Sequence, residues 1–127
     1  MEPCRVLLVD DEEEFVTTLA ERLRLRGMEA KVATSGEEAM RILESVPAHV
    51  VVLDVLLPGM GGLEVLRRIR AKHPQIQVIL LTGRGSDQEA REGLSLGAMD
   101  YLIKPIQLEE LIRKIREVAP CAARERL

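Results

Sequence analysis

The chain has 127 residues, enough for one domain with a substantial buried core and too few for two. Hydrophobic residues at 46% and charged residues at 31% are ordinary for a globular chain and argue against disorder. A net charge of −3 argues against direct nucleic-acid binding, because phosphate contacts need clustered Lys and Arg.

No apolar stretch approaches the ~20 residues of a membrane span. Met1-Glu2-Pro3-Cys4-Arg5 followed by an acidic cluster is unlike a signal peptide, so a cytoplasmic location is expected. Cys4 and Cys121 lie near opposite ends with no CxxC spacing and no His pair to complete a zinc site. They are read as two reduced thiols.

Val6 to Val9 forms a short apolar run leading into Asp10 and Asp11, after which Phe15, Leu19 and Leu23 recur every four positions as one stripe of a helix. Gly27 is the expected stop. Glu29 to Ala33 reads as a weaker strand, and Ser35 with Glu38 forms a capping-box pattern opening a helix through Ala39, Ile42 and Leu43, closed by Pro47. A second strong run, Val50 to Leu53, leads into Asp54. Leu57-Pro58-Gly59 makes a loop, and Leu63, Leu66 and Ile69 mark a helix ending before Pro74. Val78 to Leu81 then leads into Thr82, Ser86 and Glu89 repeat the capping-box pattern before a helix with Ala90 and Leu94, and Gly97 ends it. Tyr101 to Ile103 leads into Lys104. Leu108, Leu111, Ile112 and Ile115 fall at i, i+3, i+4 and i+7 of a last helix, terminated by Pro120.

Five strands alternating with five helices predict an α/β domain over residues 1–120 with a short tail, 121–127. The architecture is a doubly wound parallel sheet with helices on both faces. In a flavodoxin-like strand order, 2-1-3-4-5, strands one and three are neighbours, and the carboxyl ends of the strands share the rim where such sheets bind ligands. Asp10, Asp11 and Asp54 then flank the topological switch point, with Thr82 and Lys104 beside them.

Three adjacent carboxylates repel one another and stay ionised together mainly around a cation. Oxygen-only ligands suit Mg²⁺, which keeps waters or phosphate oxygens in its other positions. Asp10 and Asp11 alone would serve equally as caps of the first helix. In this company Asp54 is a nucleophile candidate, attacking phosphorus to give an aspartyl phosphate. Thr82 can donate its hydroxyl to a phosphoryl oxygen, Gly83 leaves space for that group, and Lys104 supplies a positive point charge. Pro105 permits a cis bond after Lys104, although trans is the default. Tyr101, the only tyrosine, is expected on the face opposite Lys104. His49 and His73 suit surface or capping roles.

Taken together, Val6-Leu7-Leu8-Val9-Asp10-Asp11, Asp54-Val55-Leu56-Leu57-Pro58-Gly59-Met60, Leu81-Thr82-Gly83, Gly97-Ala98 and Asp100-Tyr101-Leu102-Ile103-Lys104-Pro105 resemble the receiver domain of two-component response regulators, over essentially the whole chain. The resemblance implies a phosphorylation switch. Asp54 would take a phosphoryl group from a phosphohistidine on a sensor histidine kinase or histidine phosphotransfer protein, or from a small donor such as acetyl phosphate. Asp11, Asp54 and the backbone carbonyl of Leu56 would bind Mg²⁺ directly, with Asp10 acting mainly through a metal-bound water. Thr82 would move toward the phosphoryl group and Tyr101 would turn inward, altering the face built from the fourth helix, fifth strand and fifth helix for an output domain, a partner or a dimer. The domain would catalyse only its own phosphorylation and dephosphorylation, without being a metabolic enzyme.

Gly61 departs from the family, which often has Asp there; Gly is a fair N-cap, so the third helix is expected to survive. In similar proteins the residues at Leu56 and Arg84 tune access of the hydrolytic water, and Leu56 offers that water no hydrogen bond. A haloacid-dehalogenase-like Mg²⁺ phosphatase shares Asp, Thr, Lys and Mg²⁺. It wants a second carboxylate two residues after the nucleophile, where this chain has Leu56. A flavodoxin-like FMN binder needs a phosphate-cradling loop after the first strand, where Asp10 to Glu14 would repel the phosphate. A phosphorylation-independent interaction module on the same fold is the remaining alternative. Glu109, Glu110, Arg113, Lys114, Arg116 and Glu117 on the last helix suit a self-complementary dimer face or a plain solvated surface. Both a stand-alone receiver and a piece of a longer regulator fit the sequence.

Overall fold

A computed structural model describes residues 3–83 and 87–119. Ser86, Arg84, Pro120, Cys121 and the 121–127 tail lie outside the described residues. Ten elements alternate along the chain: β1 (Arg5–Val9), α1 (Glu13–Leu25), β2 (Glu29–Ala33), α2 (Gly36–Ser45), β3 (Val50–Asp54), α3 (Gly62–Lys72), β4 (Gln77–Thr82), α4 (Asp87–Ser95), β5 (Asp100–Ile103) and α5 (Leu108–Val118). The five strands form one sheet in the order β2-β1-β3-β4-β5, with every neighbouring pair parallel, as expected for the doubly wound fold.

Parallel strands need crossovers, and placing helices on both faces buries both sides of each strand. Successive side chains therefore enter two different cores. Val6, Leu8, Val50, Val52, Ile79, Leu81 and Leu102 pack against α1 and α5 through Val16, Leu19, Leu23, Leu111, Ile112 and Ile115. Leu7, Val9, Val51, Leu53, Val78 and Leu80 pack against α2 and α3 through Ala39, Leu43, Val65, Leu66 and Ile69.

The helix boundaries follow local chemistry. At the end of α1, Gly27 adopts φ +87°, its N–H bonds the Arg24 carbonyl, and the Met28 N–H reaches the Leu23 carbonyl. This pairing satisfies carbonyls that the helix end would orphan. At the start of α2 the Ser35 hydroxyl accepts from the Glu38 N–H at 3.1 Å, while the Glu38 carboxylate reaches one residue past the expected box to the Thr34 N–H at 2.8 Å. In α4, Ala90 and Gly93 face inward and Leu94 is exposed. The helix lies so close to β4 that a Cβ at Gly93 would come within 2.1 Å of the Leu80 side chain, so only small residues fit this contact.

Among the described residues no helix is long and apolar enough to cross a membrane. Of the two cysteines, Cys4 is buried in the α1/α5 core.

Candidate functional site

Strand alternation decides which polar side chains meet. Asp10 continues the parity of Val6 and Leu8, Asp54 that of Val50 and Val52, and Lys104 that of Leu102; all five of those apolar residues belong to the α1/α5 core. The three side chains thus emerge on one side of the sheet, next to the start of α1. Thr82 follows Val78 and Leu80 to the opposite side, and Tyr101 packs there too, against the α2/α3 core. The register Val9↔Leu53 between β1 and β3 sets Asp10 beside Asp54.

One carboxylate oxygen from each of Asp10, Asp11 and Asp54 lies within 4.8 Å of the others. Asp10 is fully buried, Asp54 nearly so, and Asp11 is exposed at the mouth. The Asp10 carboxylate accepts the Glu12 N–H at 2.9 Å, and Asp54 accepts the Leu56 N–H at 3.0 Å. Each carboxylate is therefore fixed by the loop that follows it. The Lys104 ammonium stands 2.8 Å from Asp10, 2.7 Å from Glu12 and 3.4 Å from Asp54, with the Phe15 ring centroid 5.1 Å away. The bond joining Lys104 to Pro105 is cis, so the trans default does not hold here.

Burial pushes the Asp10 carboxyl above the ordinary carboxylate range and the Asp54 charge adds to this, outweighing the Lys104 and Glu12 N–H bonds that act the other way. Burial disfavours the Lys104 charge, but its hydrogen bonds to Asp10 and Glu12 carry it well above an ordinary lysine. The ammonium is therefore held charged, yet it is one cation among several anions. Asp10 Oδ2 is sealed from solvent and accepts no well-aligned hydrogen bond, its relief being the ammonium beside it. Three convergent oxygen donors with uncompensated charge fit a hard divalent cation such as Mg²⁺.

The loop after Asp54 depends on two glycines. Gly61, the N-cap of α3, holds φ +77° and ψ 148°, a region other residues enter only with strain. Gly is thus better suited here than the Asp common in the family. At Gly62 a Cβ would lie 2.2 Å from the Asp54 carbonyl oxygen, so α3 begins directly against the end of β3. Leu56, between them, turns its side chain outward, 62% exposed. Thr82 is buried, and its hydroxyl donates to the Leu102 carbonyl at 3.4 Å rather than to a carboxylate.

The model of the response regulator receiver domain matches residues 6–116. The chain belongs to that family. It is 41% identical over 114 residues to the transcriptional regulatory protein TrcR of Mycobacterium tuberculosis, covering 90% of this chain and 44% of that protein. Over 113 residues it is 43% identical to the sensory transduction protein RegX3 of Mycobacterium tuberculosis, covering 89% of this chain and 49% of that protein. The receiver chain thus spans about half the length of the curated relatives it matches. A CheY-like receiver domain protein from Methanospirillum hungatei superposes with a TM-score of 0.90 at 27% identity, covering 98% of this chain and 99% of that one. A putative response regulator from Chloroflexus aurantiacus does so with 0.86 at 32% identity, covering 92% and 98%.

This receiver domain contains contacts that sequence patterns did not expose. Glu12 read as part of an acidic run and Phe15 as core stripe, yet both touch the lysine. One signal was available: Glu is a poor N-cap, and Glu12 occupies the N-cap of α1 without a side-chain capping bond. His49 takes a capping role at β1, where its Nδ1 accepts the Arg5 N–H at 3.0 Å.

Proposed function

We propose that this receiver domain, comprising residues 1–120 with 121–127 as a tail, accepts a phosphoryl group on Asp54 from a phosphohistidine of a sensor histidine kinase or histidine phosphotransfer protein. The observation that carries this reading is the convergence of Asp10, Asp11 and Asp54 within 4.8 Å beside a lysine that reaches Asp54. An Asp54 oxygen attacks phosphorus, the P–N bond breaks, and its electron pair returns to the donor imidazole, which takes up a proton. Asp11, Asp54 and the Leu56 carbonyl would hold Mg²⁺, with Asp10 acting through a water. Bound Mg²⁺ supplies neutralising charge for the anionic donor and acceptor. Lys104 Nζ binds a phosphoryl oxygen, and the Leu56 N–H keeps the Asp54 carboxylate oriented.

Thr82 then reports the modification. Its hydroxyl exchanges a long hydrogen bond to Leu102 for a charged phosphoryl oxygen, which is the stronger acceptor. Tyr101, half-buried on the same side of the sheet, turns inward behind it. Leu94, Met99 and Ile103 are exposed on α4 and around β5, which supports an output face made by α4, β5 and α5. Phosphorylation shifts the population of that face's conformations. The names of the curated relatives support reading the partner as an attached output domain.

Incubation with acetyl phosphate and Mg²⁺ followed by intact mass tests this reading. A single phosphate adduct is expected, absent in Asp54→Ala and absent when Mg²⁺ is chelated. No adduct from acetyl phosphate or from a phosphorylated histidine kinase, or an undiminished adduct in Asp54→Ala, would favour the phosphorylation-independent interaction module.

A further inference from the structure

The shortest contact of the Lys104 ammonium lies outside the three carboxylates. The Lys104 ammonium has three donors, and its shortest approach is to Glu12 Oε1 at 2.7 Å, followed by Asp10 at 2.8 Å, with Asp54 most distant at 3.4 Å. The three residues close a ring. Asp10 Oδ1 accepts the Glu12 N–H, Asp10 Oδ2 faces the ammonium, and the Glu12 carboxylate returns to that same ammonium. Phe15, in the first turn of α1, offers its ring to the cation.

Helix chemistry does not account for Glu12. It stands at the N-cap, a position suited to Ser, Thr, Asp or Asn, and its side chain caps no N–H of the helix. The carboxylate instead extends to Nζ from a mostly exposed position, so solvent could have taken it at little cost. What Glu12 changes is how the Lys104 charge is shared among the carboxylates of the cleft. Without it, Lys104 has, among the described residues, the carboxylates of Asp10 and Asp54 to bind, two of the groups that would serve a divalent cation.

We infer that Glu12 is a positioning residue for Lys104: it draws the ammonium toward the rim, leaves Asp10 and Asp54 undercompensated, and so keeps them available to Mg²⁺. The inference rests on the Mg²⁺-dependent reading above and adds a residue to it. It also gives the lysine a defined resting place, from which it is released when a phosphoryl group offers a stronger anion.

Two effects of removing Glu12 must be separated. Loss of a negative charge near the site weakens cation binding by itself, whatever Lys104 does. Redistribution of the ammonium onto Asp10 and Asp54 weakens it only while Lys104 is present. A double-mutant cycle distinguishes them. Mg²⁺ is titrated into wild type, Glu12→Ala, Lys104→Met and the double variant, following the backbone amide shifts of Asp11 and Leu56 by NMR, with the spectra also reporting that each variant is folded.

The expected result is that Glu12→Ala raises the Mg²⁺ Kd about three- to fivefold in the wild-type background, the worth of a partly exposed ion pair. In the Lys104→Met background the same substitution changes the Kd by less than about a factor of two. An equal factor in both backgrounds would overturn the inference, because Glu12 would then act on the cation directly. No change in either would overturn it too, leaving the Glu12–Lys104 pair a solvated contact. Failure of the wild type to bind Mg²⁺ would remove the metal reading itself, an outcome distinct from both.

Discussion

The two rims of the sheet are built on opposite principles. At the amino-end rim the strand starts are joined by backbone hydrogen bonds, Glu29 N–H to the Cys4 carbonyl at 2.9 Å, His49 N–H to the Arg5 carbonyl at 2.9 Å, Gln77 N–H to the His49 carbonyl at 3.0 Å, and Met99 N–H to the Val78 carbonyl at 2.8 Å, and Arg5 pairs with Glu29 at 3.7 Å. The Arg5 N–H completes the set on His49 Nδ1. At the carboxyl-end rim, the carboxylates of Asp10, Glu12 and Asp54 crowd the Lys104 ammonium, and a buried oxygen of Asp10 lacks an aligned donor. One rim pairs the backbone groups of its strand starts and holds the strands in register. The other keeps unmet charge, which costs stability and creates affinity for a cation and a phosphoryl group.

The contrast breaks first at the point where backbone meets backbone. Gly62→Ala forces a methyl against the Asp54 carbonyl, and a cost of about 3 kcal/mol in urea unfolding is expected. Because the clash displaces the phosphoacceptor strand end, phosphorylation by acetyl phosphate should slow on the order of 100-fold. His49→Ala tests the amino-end rim alone. Removing the acceptor of the Arg5 N–H should cost about 1 to 2 kcal/mol while leaving the phosphorylation rate of the folded protein unchanged.

Asp10→Asn should act in the reverse direction. The Asp10 carboxyl lies above its ordinary pKa in the fold because burial disfavours its charge. Its contribution to metal-free stability is therefore present at low pH and lost as pH rises through the folded value. At neutral pH the amide should stabilise the metal-free protein by about 1 kcal/mol and abolish most of the further thermal stabilisation that Mg²⁺ gives the wild type. A destabilised Asp10→Asn variant would mean that Lys104 already compensates the cluster. Leu56→Asn, at the exposed mouth, should have the smallest effect: phosphate loss about fivefold faster than wild type, the worth of one modest hydrogen bond to the attacking water. Equal or slower loss would show that Leu56 does not limit that water.

The same contrast explains what was legible in the sequence. Asp10, Asp54, Thr82 and Lys104 each follow a short apolar run, and the period of two carries such residues to predictable faces of a sheet whose order follows from the βα alternation. Side-chain reach obeys no such period. That Glu12 bends toward Lys104, or that Glu38 bonds Thr34, depends on loop geometry beyond the strand pattern. Leu94 stays exposed because the tight approach of α4 to Leu80 admits only the smaller Ala90 and Gly93 on the inward side. The cis bond before Pro105 is set by tertiary context, which a dipeptide does not encode.

Locating the phosphoryl group chemically tests the central claim most directly. The domain is phosphorylated with Mg²⁺ and a phosphohistidine or acetyl phosphate donor, reduced with borohydride to convert an aspartyl phosphate to homoserine, digested and sequenced by mass spectrometry. Homoserine at position 54 alone is the predicted result. Modification at Asp10, at Asp11 or at a residue outside the rim would contradict the assignment of Asp54 as the acceptor.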